Sequence, residues 1–196
     1  MTGAIEIKCP GCGARVSIGQ KECEYCHNPV VISTFNSVYD MPMPTVNKYV
    51  GTYRKELMEH PDSMELNNSI AMCYLKLKMY DKAVTAFEAA MEDNFDNSET
   101  FFYAAVCLLG GKKAFLAPRP VINKIEEYIN AALMIEPRGI YYYFWAYIKY
   151  DFYERKFLNT NPNYRACLNE AYNAGVSDFD VNMLFQILGV PVPSVF

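Results

Sequence analysis

The stretch SIAMCYLKLKMYDKAVTAFEAAMEDNF, residues 69–95, decides the fold of this 196-residue chain. Its apolar residues recur every three or four positions, which is the period of an amphipathic α-helix. The same period extends to both sides, and no alternating strand pattern of comparable length competes with it. The periodicity predicts eight helices, over residues 46–60, 64–78, 81–94, 98–109, 121–136, 140–155, 163–174 and 180–188.

An internal repeat organises these helices. Ala71 recurs as Ala105, and Cys73 recurs as Cys107, both at the interval of about 34 residues that is typical of tetratricopeptide repeats. In such arrays each unit is a helical hairpin, and hairpins must stack to bury their apolar faces. The spacing therefore favours a stack of helical hairpins.

The first unit also resembles the tetratricopeptide signature residue by residue. The matching positions are Ala71, Tyr74, Tyr80 before "DKA", Ala83, Phe87 and Ala90. With the cysteine-rich start described next, the chain resembles bacterial tetratricopeptide proteins that carry an N-terminal zinc ribbon. The resemblance implies a mainly α fold, a tetratricopeptide-like α-solenoid of helical hairpins over residues 46–196 with a C-terminal capping helix, preceded by a small β-hairpin zinc ribbon.

Four of the seven cysteines form two Cys-x-x-Cys pairs in IKCPGCGARVSIGQKECEYCHNPVVI, residues 7–32. Two residues between thiols let a tight turn aim both sulfurs at one point, and ten residues between the pairs suffice for a short β-hairpin. The pattern predicts a zinc ribbon over residues 1–33, whose Zn²⁺ supplies most of the folding free energy of so small a module. The predicted ligands are Cys9, Cys12, Cys23 and Cys26.

Other chemistries of these cysteines stay open. Iron in a rubredoxin-like site uses the same four thiolates. A thioredoxin-like redox site uses one Cys-x-x-Cys ahead of a helix in a βαβ unit, which this context does not resemble. His27 could replace its neighbour Cys26 as a ligand, although the thiol is better placed. Structural zinc is the expectation, with iron as the alternative metal.

The charge balance disfavours nucleic acid as a partner. The chain has a net charge of −4, and a four-thiolate zinc site adds a formal charge of about −2. The basic and acidic residues of the ribbon balance each other: Lys8, Arg15 and Lys21 against Glu6, Glu22 and Glu24. A nucleic-acid-associated factor, whose ribbon contacts DNA or RNA while the helices recruit a partner, stays as the alternative hypothesis.

Residues 34–45, TFNSVYDMPMPT, lack the helical period and contain two prolines. They predict a semi-rigid linker that ends where Thr45 caps the first long helix. The N-terminus does not resemble a secretory signal, no segment reaches the roughly 18 apolar residues of a membrane span, and seven cysteines make a poor disulfide framework. A cytoplasmic protein without a membrane span is expected.

Catalytic motifs are scarce. The only histidines are His27 and His60, and neither belongs to a recognisable triad. The sequence "GGKKAF" at residues 110–115 lacks the glycine and the Lys-Ser/Thr ending of a phosphate-binding loop, which predicts an inserted loop with solvated lysines. Cys73, Cys107 and Cys167 are expected to be buried apolar residues. No enzymatic activity is expected.

The remaining hypothesis is a protein-protein interaction adaptor that holds a protein or peptide in a groove lined by the first helix of each hairpin. The aromatic run GIYYYFWAYIKYDFY, residues 139–153, either packs inside the helical array or lines this groove. The resemblance assigns to the groove Met72, Phe102, Val106, Tyr141, Phe144 and Ile148, together with Asn68, Leu75 and Glu99.

Overall fold

The computed structural model describes residues 5–92 and 95–196. The described chain is mainly helical and begins with a small antiparallel β-hairpin, which confirms the predicted fold class. The strands are β1 (Glu6–Lys8) and β2 (Arg15–Ser17). The helices are α1 (Asn36–Tyr39), α2 (Met43–Glu59), α3 (Met64–Lys76), α4 (Tyr80–Met91), α5 (Ser98–Cys107), α6 (Arg119–Ile135), α7 (Gly139–Ile148), α8 (Tyr164–Asn173) and α9 (Asp178–Leu188).

The chain divides into two compact units, Met1–Asn94 and Phe95–Phe196. The first unit holds the β-hairpin and α1–α4, and the second holds α5–α9. The boundaries suggested by the sequence, after residues 33 and 45, both fall inside the first unit. The separate ribbon, linker and helical domain therefore stay a prediction.

The β-hairpin has almost no apolar core. β1 pairs with β2 in antiparallel register, with Ile7 opposite Val16 as the one buried pair. The flanking pair, Lys8 and Arg15, is exposed. Two buried aliphatic side chains cannot outweigh the conformational entropy of ordering such a module, so its fold depends on other contacts.

The segment predicted as a linker packs against the helices of the first unit. It contains α1, which contacts α3, and its apolar residues Phe35 and Val38 are buried. The predicted cap at Thr45 is wrong, because α2 already begins at Met43, after Pro42. Pro44 lies in the first turn, where its missing N–H needs no hydrogen-bond partner, so the helix can begin before Thr45.

In the first unit α3 packs against both α2 and α4. The hydroxyl of Ser63 caps α3 by accepting a hydrogen bond from the N–H of Leu66, at 3.4 Å. Only residues 77–79 separate α3 from α4, so the two helices form an antiparallel hairpin. Ala71 and Ala83 are fully buried, which allows the helices a close approach.

In the second unit α5 packs against α6, α6 against α7, and α7 against α8, while α9 contacts α5 and α7. Gly139 opens α7 at a point of backbone contact, because an added Cβ would lie 2.6 Å from the nitrogen of Val176 and 2.7 Å from the oxygen of Ala171. The helix predicted over residues 140–155 is regular only to Ile148. It continues as a π-helical turn over Lys149–Tyr153 and a 3₁₀ turn over Glu154–Lys156.

None of the helices in residues 5–92 and 95–196 combines the length and the apolar character that a membrane crossing requires.

Candidate metal centre and binding groove

The two Cys-x-x-Cys pairs form two equivalent turns. In the first, the N–H of Gly13 donates to the carbonyl of Cys9 at 2.8 Å, and in the second the N–H of His27 donates to the carbonyl of Cys23 at 2.8 Å. Gly13 and His27 occupy the same place and share a left-handed backbone, with φ of 85° and 57°. Glycine adopts this conformation without strain, whereas histidine does so at a cost.

These turns bring together the four predicted thiols. All four Sγ atoms lie within 4.8 Å of one another, with 3.6 Å between Cys9 and Cys26 and 3.7 Å between Cys12 and Cys23. Thiolates at 2.3 Å around a tetrahedral zinc ion are about 3.8 Å apart, whereas a disulfide brings sulfurs to about 2.05 Å. The four cysteines can therefore hold a metal ion, and they are not disulfide-bonded.

The surroundings of the sulfurs differ between the two turns. The pKa of Cys26 is lowered to about 6, mainly by the backbone N–H of Asn28 that points at its sulfur, whereas burial raises the pKa of Cys9 to about 12. The Asn28 side-chain amide also donates to Sγ of Cys26, at 3.5 Å. N–H groups aimed at a thiolate orient it and compensate its charge, as expected around a metal ligand. His27 is exposed and lies outside the sulfur cluster.

The ribbon is attached to α2 through two buried tyrosines. The hydroxyl of Tyr49 donates to the carbonyl of Pro29 at 3.0 Å, and that of Tyr53 donates to the carbonyl of Val30 at 2.9 Å. Both tyrosines are fully buried. Since an unpaired buried hydroxyl is costly, these bonds fix the position of the chain that leaves the second cysteine turn.

The same exit segment continues along α3. The N–H of Ile32 donates to the hydroxyl of Ser69 at 2.8 Å, and the side-chain amide of Asn68 donates to the carbonyl of Ile32 at 3.1 Å. On the other side of the ribbon, the N–H of Lys8 donates to a carboxylate oxygen of Glu56 at 3.2 Å. The ribbon therefore packs on α2 and α3, a contact that the sequence did not predict.

The six residues assigned to a partner groove are buried, none with more than 2% of its surface exposed: Met72, Phe102, Val106, Tyr141, Phe144 and Ile148. In the second unit, the rings of Phe102 and Tyr141 pack together at a tilt of 30° with centroids 4.5 Å apart, and α9 packs against α5 and α7. In the first unit, Asn68 on the same side of α3 contacts the ribbon exit segment. Contact with a partner at these residues stays a prediction, and in this conformation their own chain covers them.

The aromatic run of α7 packs inside the second unit, and its polar groups are paired there. Lys149, only 4% exposed, forms an ion pair with Glu126 at 2.6 Å, and Glu126 also accepts hydrogen bonds from Trp145 at 3.1 Å and Tyr153 at 2.5 Å. Burial alone raises the pKa of Glu126, but the hydrogen bonds from Lys149, Tyr153 and Trp145 outweigh it, so this pKa is lowered. The π-helical turn thus buries the ammonium group of Lys149 beside the carboxylate of Glu126, and its role is structural.

An open groove lies elsewhere, in the first unit, with α3 as its floor and α2 and α4 as its walls. Its volume is about 740 Å³. Met58, which is 83% exposed, stands on one wall, and Tyr74 belongs to the floor. The lining consists of Gly51, Arg54, Lys55, Leu57 and Met58 from α2, Asn67, Ile70 and Tyr74 from α3, and Lys82, Thr85, Ala86 and Ala89 from α4.

The sequence contained a signal for this groove that was missed. Tyr49 and Tyr53 mark the buried face of α2, and Leu57 continues that face one turn further on, whereas Met58 lies on the opposite face. A large apolar residue that the helical period places on the outer face of a helix is a candidate for a further contact.

The comparisons with known proteins assign no family. No protein-family model matches the chain, and no curated protein matches it. Among solved structures, the chain is similar to "MamA MSR-1 C2", with 16% sequence identity over 78% of this chain and 83% of that chain and a TM-score of 0.48. A similarity at this level assigns no function.

Proposed function

We propose that the protein is a non-enzymatic protein-protein interaction adaptor that receives a protein partner in the groove between α2 and α4. The observation that carries this proposal is the groove itself, an open concave surface with Ile70 and Tyr74 in its floor and the exposed Met58 on its wall. A large apolar side chain that remains this exposed beside a concave apolar surface is typical of an interaction site.

The metal has a structural role in this proposal. Four thiolates close a tetrahedral site and leave no position for a substrate, which distinguishes structural from catalytic zinc. Zinc fits the closed four-thiolate set, and iron is the alternative. Because Ile7 and Val16 are the only buried pair of the hairpin, the ion would supply most of the free energy that holds the ribbon against α2 and α3. Seven free thiols suit a reducing compartment such as the cytoplasm.

The lining of the groove supports binding rather than catalysis. Among its described residues there is no histidine, cysteine or carboxylate that could act as nucleophile or general base. Its polar groups are the amide of Asn67, the hydroxyls of Tyr74 and Thr85, and three exposed cations.

A pair of photo-crosslinkers tests the proposal. One is incorporated at residue 58 on the groove wall and the other at residue 134 on α6, since Met134 is 88% exposed and lies in the other unit. In the cells that produce the full chain, a defined protein is expected to crosslink at residue 58 and not at residue 134, and the purified pair is then expected to bind directly. Identical crosslinks at both positions, or none at residue 58, would refute the adaptor function of this groove.

A further inference from the structure

Resting on the proposed function, we infer that the groove between α2 and α4 binds an acidic amphipathic helix, with large apolar residues on one side and Asp or Glu flanking them. Three features of the groove specify this occupant: the sign of its rim charges, the small residues of its walls, and its length.

The rim of the groove is positive. Arg54 and Lys55 on α2 and Lys82 on α4 line it and are exposed, and none of its described lining residues is acidic. The chain as a whole is acidic, with a net charge of −4, so this local sign is opposite to the average. Complementary charges at a rim steer the encounter and select the partner, which here carries carboxylates.

Small residues leave room between the walls of the groove. Gly51 lies in the middle of α2, and a Cβ added there would meet nothing within 4 Å. Ala86 and Ala89 line the opposite wall. A glycine in the interior of a helix weakens it, and no close neighbour among the described residues of the first unit requires this one. An occupant that enters between the walls would use the space that a side chain at residue 51 would fill.

The length of the groove suits a short helix. The lining runs from Gly51 to Met58 on α2 and from Lys82 to Ala89 on α4, so each wall extends for about 12 Å at a rise of 1.5 Å per residue. About two turns of a partner helix have this length, and a helix laid in an apolar groove is a recurrent mode of peptide recognition. Its apolar residues would lie over Ile70 and Tyr74, and its carboxylates would reach the cations of the rim.

Three fluorescent peptides of about 16 residues test the inference with the metal-loaded full chain, by fluorescence anisotropy. The first has Leu and Phe on one helical face and Glu on the other. The second has the same apolar face with Lys instead of Glu, and the third keeps Glu but has Ala on the apolar face. We expect the first to bind about tenfold more tightly than the second, because two exposed ion pairs together contribute about that factor. It should also bind more tightly than the third, which lacks the large apolar side chains that the groove would bury. Raising the ionic strength should reduce the difference.

Paired protein variants locate the binding. The variant Arg54→Glu/Lys82→Glu should lose the acidic peptide and instead bind the basic one, which also demonstrates that it is folded. The matched control, Lys112→Glu/Lys113→Glu, reverses two exposed charges in the second unit and should bind as the wild type does. Gly51→Met, which fills the groove without weakening α2, should abolish binding of the first peptide.

The outcomes separate this inference from the proposed function. If the acidic and basic peptides bind equally and Gly51→Met abolishes both, the groove is an interaction site but the acidic preference is wrong. If no peptide binds, or if the control loses as much affinity as Arg54→Glu/Lys82→Glu, the helix-docking inference is wrong, while the crosslinks at residue 58 still decide the adaptor function.

Discussion

Replacing Gly11 by alanine should weaken metal binding although Gly11 is not a ligand. Gly11 lies in the first cysteine turn and faces the second, so an added Cβ would lie 2.7 Å from Nδ2 of Asn28, 3.0 Å from Sγ of Cys26 and 3.2 Å from Cβ of Asn28. The Asn28 side chain can rotate away, but it then loses its hydrogen bond to Cys26. The sulfur can retreat only by leaving the cluster.

The magnitude follows from these contacts. Overpacking a tight site costs about 1–3 kcal/mol, and a lost hydrogen bond costs about 1 kcal/mol. Small shifts of the surrounding atoms recover part of this cost, so we expect a loss of about 1.5–3 kcal/mol in metal-binding free energy. At 1.4 kcal/mol per factor of ten, the affinity should fall about 10- to 100-fold, as is usual when groups around metal ligands are disturbed.

The assay is competition of the purified chain against a chromogenic zinc chelator, with the metal content measured before and after. Gly19→Ala is the matched control in the same ribbon, because a Cβ there would have only an ordinary contact of 3.7 Å with Oγ of Ser17. If Gly11→Ala retains zinc as tightly as Gly19→Ala and the wild type, the two cysteine turns do not enclose one ion at the distances described, and the metal centre is wrong.

Three further perturbations test other parts of the structure. His27→Gly should retain one metal ion per chain and be no less stable to heat, because His27 is no ligand and holds a left-handed φ; loss of metal would make it a ligand. Gly139→Ala should lower the unfolding free energy by about 1–3 kcal/mol in urea melts, since its Cβ would meet backbone that cannot rotate away; an unchanged midpoint would contradict the contact. Glu126→Gln leaves the buried Lys149 without its counter-charge and should cost about 3 kcal/mol at neutral pH, measured through the fluorescence of the single tryptophan, Trp145. Because the pKa of Glu126 is lowered in the fold, its contribution is present above the unfolded pKa and is lost as pH falls through the folded pKa, so the difference should shrink in acid; a pH-independent difference would contradict this pairing.

The helices of both units could be predicted because their signal is local. Each helical segment contains apolar residues with a period of about 3.6 residues, so the predicted and observed helices agree within a few residues. The exceptions have nonlocal causes. The helix over residues 140–155 loses its regular form where Lys149 and Asp151, both charged, are buried in a π-helical turn by partners elsewhere in the unit. The short α1 buries only Val38, with Phe35 just before its first residue, and two apolar residues are too few to produce a period.

The cysteine cluster and the partner-binding residues also differ in how far local sequence determines them. The four cysteines that can hold a metal ion could be named because each pair lies in one tight turn, and the only nonlocal requirement is that the two turns meet. The partner residues depend on which helix face remains uncovered. That is decided by distant segments: the chain around Ile32 along α3 in the first unit, and α9 against α5 and α7 in the second. No period in the sequence records such a covering contact, so the sequence could not show that positions such as Phe102 are covered by their own chain in this conformation.

The helix α2 relates the metal centre to the groove. With about 100° between successive residues, Tyr49 and Tyr53 lie on one side of it, bound to the ribbon, whereas Arg54 and Met58 lie on the opposite side, in the groove wall. The hairpin has too little core to hold these tyrosine contacts by itself, so a metal ion held by the four cysteines would also order this wall. Under the proposed function, such an ion would influence partner binding without touching the partner, because it would hold the α2 wall in place.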